Sequence, residues 1–323
     1  MTADAAGGAL RMAVVGAGHF GRHHARILSA FPGVRLEAVV DVDPEAAARV
    51  ASEAGVRPET DAAALHGRVD AVTVAVPTDR HRAVAVPLLE RGISVLVEKP
   101  MARSLGEADE MIAAATAGGA VLAVGHTERY NPAVTVALPL VEAPRFIEVH
   151  RIGAFSPRSL DVDVVFDLMI HDLDIVRTAV GEEVAAIEAV GVPVLTGHVD
   201  IANVRLRFAS GCIANLTASR ISRDRVRKLR FFQRDAYISV DCARREVETW
   251  RVRRTGDRTP AIDGGRVEVP PGEPLALELD DFARAVSGRT VPRVDGAEGR
   301  RALALAVRVA AALRDVPGGE SAP

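Results

Sequence analysis

A glycine-rich segment between an apolar strand and a helix constrains the fold of this chain more than any other feature. Gly16-Ala-Gly-His-Phe-Gly21 directly follows the apolar run Arg11–Val15 and leads into a helical pattern that stops near Phe31. Glycines let the backbone turn tightly and approach phosphates, and the N-terminus of the helix faces their negative charge. This order predicts a Rossmann-type dinucleotide site; the alternative is a glycine-rich turn that binds no ligand.

The second predicted strand strengthens the prediction of a dinucleotide site. It spans Val34–Val40 and ends at Asp41, about twenty residues beyond the last glycine, where this fold places the acid that binds the adenosine ribose. The Asp41 carboxylate can accept hydrogen bonds from ribose hydroxyls and would repel a 2′-phosphate, so NAD is favoured over NADP. Apolar strands and helices alternate up to residue 125, which predicts a parallel sheet covered on both faces. Ligands of such sheets lie beyond the carboxyl ends of the strands.

Lys99 is one of only two lysines in the chain, the other being Lys228. It ends the apolar run that begins at Ile93 and is followed by Pro100, so it lies at the ligand-binding edge of the predicted sheet. A lysine at a buried strand end usually has a chemical role, because its ammonium is a compact donor whose pKa can shift. The alternative is a surface charge that pairs with a neighbour.

The pattern changes after Pro132, where most of the predicted elements are strands. These predicted strands are Phe146–Arg151, Ala186–Val192, Ile201–Phe208, Cys212–Ser219, Arg227–Gln233, Ala236–Asp241 and Val247–Val252. A polar loop is predicted from Arg254 to Gly265. The predicted fold class is therefore α/β. An N-terminal Rossmann domain with a doubly wound parallel sheet (residues 1–125) precedes an α+β domain with a large, mostly antiparallel sheet (126–323). The last helix, about 296–313, is expected to pack back on the first domain.

One helix is predicted among these strands, from Val164 to a C-cap at Gly181. Asp167 and His171 are four residues apart and share a face, and an imidazole beside a carboxylate can handle protons. The alternative is a structural Asp–His pair. Asp174 shares the same face, but the chain offers no second ligand cluster, so no metal site is predicted.

Composition favours an ordinary soluble protein. The chain is 48% hydrophobic and 26% charged with a formal net charge of -3, which gives no electrostatic footprint for nucleic acid. The arginine-rich run from Arg220 to Arg230 is interpreted as a solvated strand face, or alternatively as a contact for a phosphate-bearing ligand. Two cysteines form no disulfide framework, and no segment resembles a signal peptide or a membrane span. A cytoplasmic location is expected.

Gly16-x-Gly-x-x-Gly21, Glu98-Lys99-Pro100 and Asp167-x-x-x-His171 together resemble the Gfo/Idh/MocA family of sugar and cyclitol oxidoreductases. The resemblance covers nearly the whole chain. It implies an NAD(P)-dependent oxidoreductase that acts on CH–OH groups, with NAD as the expected cofactor and Lys99, Asp167 and His171 as the catalytic set. The residues expected to bind the cofactor are Gly16, Gly18, His19, Phe20, Gly21, Asp41, Pro77, Thr78, His81, Glu98 and Lys99.

The chemistry of alcohol oxidation agrees with these roles. A base must remove the hydroxyl proton while hydride leaves to NAD, and His171 is the expected base. Lys99 would hydrogen-bond the same oxygen and stabilise its developing negative charge. Asp167 would orient the imidazole or a neighbouring hydroxyl. One departure from the family is that Val162-Asp163-Val164-Val165 stands where glycines often precede this helix.

Finer features resemble the family members that oxidise the 3-hydroxyl of UDP-N-acetylglucosamine, which prepare a 3-keto sugar for transamination on the way to amino-linked lipid A. The segments that carry this resemblance are Val124–Pro132, Phe155–Arg158, Asp167–Asp174 and Phe232–Val240. They imply that His126, Tyr130, Asn131 and Arg158 bind the substrate, arginine being suited to a diphosphate. Asn131-Pro132 could instead be a turn, and Arg158 a solvated side chain.

Several functions remain open at this point. They are an inositol or free-sugar dehydrogenase with the same catalytic residues, an NAD-dependent glycoside hydrolase, and an NAD-binding regulator without enzymatic activity. A homodimer or homotetramer is expected, because an exposed sheet face commonly pairs with a copy of itself.

Overall fold

The computed structural model describes residues 8–155, 162–254, 261–288 and 290–314, which form two compact units. Of the described residues, the first unit takes those up to His126 together with Leu275–Leu303. The second unit takes those from Thr127 to Pro274 and those from Ala304 onward. Within these ranges, no helix combines the length and the apolar character that crossing a bilayer requires.

The strands of the described residues form two sheets. The first sheet contains β1 (Leu10–Val15), β2 (Val34–Val40), β3 (Arg57–Glu59), β4 (Ala71–Val74), β5 (Ser94–Glu98) and β6 (Leu122–Gly125). The second contains β7 (Phe146–Ile152), β8 (Val184–Val192), β9 (Ile201–Phe208), β10 (Ile213–Ser219), β11 (Val226–Phe232), β12 (Ala236–Asp241), β13 (Glu246–Arg253) and β14 (Ala261–Val267).

The α-helices are α1 (His19–Ser29), α2 (Pro44–Ala54), α3 (Thr78–Leu89), α4 (Leu105–Gly118), α5 (Pro132–Ala137), α6 (Ile170–Val180), α7 (Pro274–Val286) and α8 (Gly296–Arg314). Short 3₁₀ turns cover Ala62–Leu65, Thr127–Tyr130 and Leu138–Leu140, and a π-helical turn covers Val165–Met169.

The first sheet is parallel throughout, in the order β3-β2-β1-β4-β5-β6. Every residue of β4 and β5 is buried, as expected for strands covered by helices on both faces. The predicted doubly wound Rossmann sheet is therefore confirmed. The edge strand β3 was not predicted, because Arg57-Pro-Glu59 has no apolar pattern and is held mainly by its backbone pairing with β2.

The C-terminal part of the first unit packs against β6. Val124 donates its N–H to the carbonyl of Val294, and Ala123 pairs with Asp295 across a short bridge. A Cβ at Gly299 would lie only 2.3 Å from a side-chain carbon of Val124. The missing side chain therefore lets the start of α8 lie directly on β6.

The second sheet has the order β14-β13-β12-β11-β7-β10-β9-β8. All neighbouring pairs are antiparallel except β7 and β10, which confirms the prediction of a mostly antiparallel sheet. Burial alternates along β9, where Ala202, Val204 and Leu206 are buried and the residues between them are exposed. One face of the sheet therefore covers a core, and the other remains open in the single chain.

The predicted polar loop from Arg254 to Gly265 is wrong at its C-terminal end, because Ala261–Val267 forms β14. Most of its residues are exposed, so the strand lacks the apolar signal on which the prediction depended. Backbone pairing with β13 holds it instead, with Gly264 opposite Trp250. A Cβ at Gly264 would lie 2.0 Å from the carbonyl oxygen of Thr249, so the pairing requires a glycine there.

Candidate active site

Steric constraints within the protein shape the glycine-rich turn at two of its three glycines. Gly16 has φ +102°, and a Cβ there would lie 2.5 Å from the carbonyl oxygen of Ala75. A Cβ at Gly21 would lie 1.7 Å from the carbonyl oxygen of Gly16. At Gly18, by contrast, a Cβ would have no protein atom within 4 Å. This open space fits a phosphate at the N-terminus of α1, which begins at the next residue.

A cavity of about 1030 Å³ lies in the first unit beside the carboxyl ends of β1, β2 and β4. Gly16, Gly18, Asp41 and Pro77, all predicted to bind the cofactor, line it. One wall consists of α3 residues, namely Ala83, Val84, Pro87 and Leu88. A cavity lined by apolar side chains and a carboxylate suits an adenosine group, whose base is largely apolar and whose ribose carries hydroxyl donors.

Asp41 is fixed at the rim of this cavity by backbone donors. Its Oδ2 accepts a 2.6 Å hydrogen bond from the N–H of Ala17 within the glycine-rich turn. Its Oδ1 accepts a 3.0 Å bond from the N–H of Asp43. The carboxylate therefore joins the phosphate-binding turn to the end of β2, and its remaining lone pairs can accept from ribose hydroxyls.

Three basic residues of the cavity were not predicted: His66, Arg80 and Arg91. Arg80 belongs to α3, like the residues of the apolar wall, whereas Arg91 lies two residues beyond the end of that helix. The sequence contains a signal that could have found Arg80, because Arg80, Ala83, Val84 and Pro87 follow a helical period directly after a strand.

Glu98, at the end of β5, belongs to a buried polar group beside Lys99. Its Oε1 lies 3.0 Å from Nε2 of His24, and its Oε2 accepts a 3.3 Å bond from the backbone N–H of Lys99. Burial raises the pKa of Glu98, but the hydrogen bond with His24 and the charge of Lys99 outweigh it, so the pKa lies below its usual value. Gly125 of β6 leaves room for this carboxylate, since a Cβ there would approach Oε2 to 3.2 Å.

His24 is fully buried on α1, and sequence reasoning missed its role. In sequence it occupies an apolar helical face together with Ile27 and Leu28, and nothing local indicates that its partner lies 74 residues away.

His81 joins two backbone segments near Lys99. Its Nε2 lies 2.9 Å from the carbonyl oxygen of Val76, and its Nδ1 lies 3.1 Å from that of Pro100 and 3.3 Å from that of Met101. Burial lowers the pKa of His81, although these carbonyls oppose the shift. The imidazole thus holds the chain that follows Lys99 against the end of β4, and its predicted contact with the cofactor stays a prediction.

Three other predicted cofactor residues lie at helix starts. His19 and Phe20 begin α1 with their rings in edge-to-face contact, and Phe20 is 51% exposed. Thr78 is the first residue of α3, after Pro77. The lining of the described cavity includes none of the three, so their contacts with a dinucleotide also stay predictions.

In the second unit, the helix that carries Asp167 and His171 is not a regular α-helix. Asp167 lies in the π-helical turn Val165–Met169, and His171 is the second residue of α6. The prediction of one α-helix from Val164 is therefore wrong in its first turn, while the predicted C-cap at Gly181 is confirmed. Both Asp167 and His171 are partly exposed. Single π turns within helices are frequent at functional sites.

Two buried ion pairs hold α6. The carboxylate of Asp172 accepts hydrogen bonds from Nε and Nη2 of Arg151, at 2.7 and 2.8 Å. Both carboxylate oxygens of Asp174 accept hydrogen bonds from Nη1 of Arg129, each at 3.1 Å. Burial lowers the pKa of Arg151, but the charges of Asp172 and Glu128 outweigh it and raise the pKa well above its usual value. The charge of Asp174 is therefore paired with that of an arginine. The described residues contain no cluster of three or more potential metal ligands.

The predicted substrate residues differ in what they can offer a ligand. Asn131 caps α5 by accepting the N–H of Ala133 and donates to the carbonyl of Cys242 at 3.0 Å, which fits the turn interpretation. His126 and Tyr130 are buried in the chain as it stands, at 1% and 2% exposure. Arg158 lies outside the described residues.

Comparisons with known proteins match nearly the whole chain. The family description "Oxidoreductase family, NAD-binding Rossmann fold" of Gfo/Idh/MocA proteins matches residues 10–126, and the family's C-terminal domain matches residues 106–239. UDP-N-acetylglucosamine 3-dehydrogenase of Acidithiobacillus ferrooxidans is 38% identical, over 94% of this chain and 97% of that protein. A solved structure of that enzyme superimposes with a TM-score of 0.88 at 37% identity, covering 94% of this chain and 97% of the other. Inositol 2-dehydrogenase of Rhizobium meliloti is 28% identical, over 92% of this chain and 94% of that protein.

Proposed function

The chain belongs to the Gfo/Idh/MocA family of NAD-binding oxidoreductases, and from this premise we propose that it oxidises the 3-hydroxyl of UDP-N-acetylglucosamine to a 3-keto sugar nucleotide. The observation that carries the proposal is the 38% identity to an enzyme of that name over nearly the full length of both chains. The motifs around Lys99 and His171 add the chemistry that the reaction needs.

NAD, when bound, supplies the hydride acceptor, and the residues of the first unit fit it. The open side of Gly18 and the start of α1 would hold the pyrophosphate, and Asp41 would accept from the adenosine ribose. His19, Phe20, Pro77, Thr78 and His81 remain proposed contacts along the same edge. Glu98 fixes the backbone of Lys99, so the end of β5 is rigid where the nicotinamide would lie.

Three side chains would carry out the proton transfer. His171 takes the proton of the 3-hydroxyl, and the ammonium of Lys99 donates a hydrogen bond to the same oxygen as its charge develops. Asp167 orients the imidazole or a neighbouring sugar hydroxyl. Lys99 belongs to the first unit, and Asp167 and His171 belong to the second.

His126, Tyr130 and Arg158 remain our candidates for binding the sugar or the diphosphate. Asn131 is a weaker candidate, because its side chain is already used to cap α5.

We place the reaction in the cytoplasm, since Cys212 and Cys242 are free and buried, as in proteins of reducing compartments. We also propose that the open face of the second sheet pairs with another copy of the chain.

An inositol dehydrogenase is the second candidate, supported by the 28% identity to an enzyme of that class over nearly the whole chain. It would use the same three catalytic residues, so the two functions differ only in the substrate pocket.

The deciding experiment mixes the protein with NAD and, separately, UDP-N-acetylglucosamine, other UDP-sugars, free sugars and inositols, and follows the absorbance of the reduced nicotinamide. We expect turnover with UDP-N-acetylglucosamine and inhibition by UDP. Turnover with inositol alone, without inhibition by UDP, would replace the first candidate with the second. An aryl glycoside that is cleaved without net formation of NADH would identify a hydrolase, and NAD binding without any turnover would identify a regulator.

A further inference from the structure

We propose that the buried ion pair between Arg151 and Asp172 positions His171 for proton transfer, in addition to holding α6 in place. The inference rests on the proposed function, in which His171 is the base. Neither Arg151 nor Asp172 is expected to touch the substrate. Their role would be to fix the direction in which the neighbouring imidazole leaves the helix.

The geometry of the pair is that of a rigid clamp. Asp172 directly follows His171 in the chain, and both of its carboxylate oxygens receive the fork of the Arg151 guanidinium, at 2.7 and 2.8 Å. The two side chains are 3% and 5% exposed. A two-point bond between planar groups fixes orientation as well as distance, and here it ties the first turn of α6 to β7.

Arg151 is itself held by contacts other than the one with Asp172. Besides its place in β7, its Nη1 donates to Glu128 at 3.2 Å. Glu128 also accepts from Arg227 at 3.3 Å and from Asn131 at 3.4 Å. The clamp therefore connects α6 to β7, to β11 and to the turn that precedes α5.

The start of α6 needs such a clamp because the preceding turn is irregular. Asp167 lies in the π turn and His171 just beyond it, so their relative direction depends on where the helix changes from one geometry to the other. The chain is also held before the π turn, where Arg220 donates to the carbonyl of Val162 at 2.9 Å and Val199 donates to the carboxylate of Asp163 at 2.9 Å. Arg151 and Asp172 form the corresponding anchor on the His171 side.

A double variant separates positioning from stability. Replacing both partners, Arg151→Met with Asp172→Leu, removes the two charges of the clamp together, while Glu128 keeps its contacts with Arg227 and Asn131. Such paired replacements often preserve or raise stability. We expect a folded protein with nearly unchanged thermal stability and KM for NAD, and a kcat lower by about 10- to 100-fold, because small misplacements of a catalytic group have effects of that size. A kcat within about twofold of the parent would overturn the proposal.

If the double variant does not fold, Arg151→Lys tests the same point. It keeps the positive charge and removes the two-point fork, so we expect kcat to fall while KM for NAD holds. An unchanged kcat in that variant contradicts positioning. Ile175→Val, in the buried face of the same helix, is the matched control: it should lower stability slightly and leave kcat unchanged.

His171→Ala separates a failure of the proposed base from a failure of the positioning role. If that variant keeps near-normal turnover, the proposed base is wrong, and the positioning role falls with it. If His171→Ala is inactive while the double variant is fully active, only the positioning role is lost.

Discussion

At the residue scale, the two lysines of the chain provide a test and its own control. Lys99→Ala should lower kcat by at least about 10²-fold, because it removes the donor to the developing alkoxide. The affinity for NAD should change little, since the adenosine cavity lies beside other strand ends. Steady-state kinetics and calorimetric titration with NAD measure the two quantities.

Lys228→Ala is the control for that variant. Lys228 is half-exposed and pairs with Asp241 at 3.7 Å on the second sheet. An exposed ion pair of this kind contributes little to stability. Both activity and NAD affinity should be preserved. Near-normal turnover of Lys99→Ala, or a comparable loss in Lys228→Ala, would remove Lys99 from the mechanism.

Asp41 should decide between NAD and NADP. Asp41→Ala removes the acceptor for the ribose hydroxyls and the charge that repels a 2′-phosphate, so the affinity for NAD falls and discrimination against NADP relaxes. Arg80 and Arg91 border the same cavity and should favour the phosphate once the carboxylate is gone. The ratio of kcat/KM for the two cofactors measures the change.

Asp43→Ala is the matched control for the cofactor test. Asp43 lies two residues away and caps α2 by accepting the N–H of Glu45. Its loss should cost about 1 kcal/mol of stability and leave the cofactor ratio unchanged. The same ratio in Asp41→Ala and the parent would refute the assigned role of Asp41.

At the element scale, the sequence allowed strands to be predicted where burial is complete or strictly alternating. β5 is an apolar run and β9 alternates residue by residue, so each carries its own signal. β3 and β14 do not, because backbone pairing with a neighbour holds them while their side chains remain largely exposed. The π turn at Val165–Met169 has no local signature either, since its geometry depends on anchors as distant in sequence as Arg220.

The connection between β8 and β9 should give acid-sensitive stability through Asp200. One oxygen of this buried carboxylate accepts from the N–H groups of Val194, Leu195 and Thr196, and the other from Arg220 at 2.8 Å. Burial raises the pKa of Asp200, but these donors outweigh it and hold the pKa well below its usual value. The carboxylate therefore stabilises the fold above the unfolded pKa of about 3.9, and this stability is lost as the pH falls toward the folded pKa.

The variant Asp200→Asn measures that contribution. It should lower the free energy of unfolding by about 1–3 kcal/mol at neutral pH, and the difference from the parent should shrink below about pH 4. Thermal unfolding across a pH series provides the measurement. The exposed pair of Asp235 with Arg254 supplies the control, since Asp235→Asn should matter little at any pH. A constant difference between Asp200→Asn and the parent down to low pH would contradict this account.

At the scale of the whole molecule, the adenosine half of the site could be predicted further than the catalytic half. The glycines and Asp41 lie within one βαβ unit, so local spacing was enough to place them together. Lys99 and His171 are far apart in sequence and belong to different units, so local periodicity could not bring them together. Their assignment to one catalytic set stays a prediction, and it depends on the resemblance of their motifs to a family. The contact between His24 and Glu98 could not be predicted for the same reason, since the two residues are distant in sequence and only the assembled sheet brings them together.

The open face of the second sheet should be an interface between copies of the chain. Four aromatic side chains lie in cross-strand register on β7, β11, β12 and β13: Phe146, Phe232, Tyr237 and Trp250. The rings of Phe146 and Phe232 are 5.5 Å apart and those of Phe232 and Tyr237 are 5.0 Å apart, while Trp250 is 41% exposed. Aromatic residues make up only 4% of the chain, so this row concentrates a third of its twelve aromatic residues on one partly exposed face. Aromatic surfaces of this kind are enriched at interfaces.

The molar mass from light scattering should therefore be that of a dimer or a tetramer. Tyr237→Asp should shift the equilibrium between oligomer and monomer toward the monomer. Trp250 is the single tryptophan of the chain, so its fluorescence reports on this face alone. We expect its emission to move to longer wavelength as the parent protein is diluted and the face becomes solvated, whereas Tyr237→Asp should show that emission at every concentration. Val291→Asp, an exposed apolar position of the first unit, should leave the assembly intact. A parent protein that remains monomeric at micromolar concentration, or a Tyr237→Asp variant with unchanged assembly, would show that the aromatic row has another role.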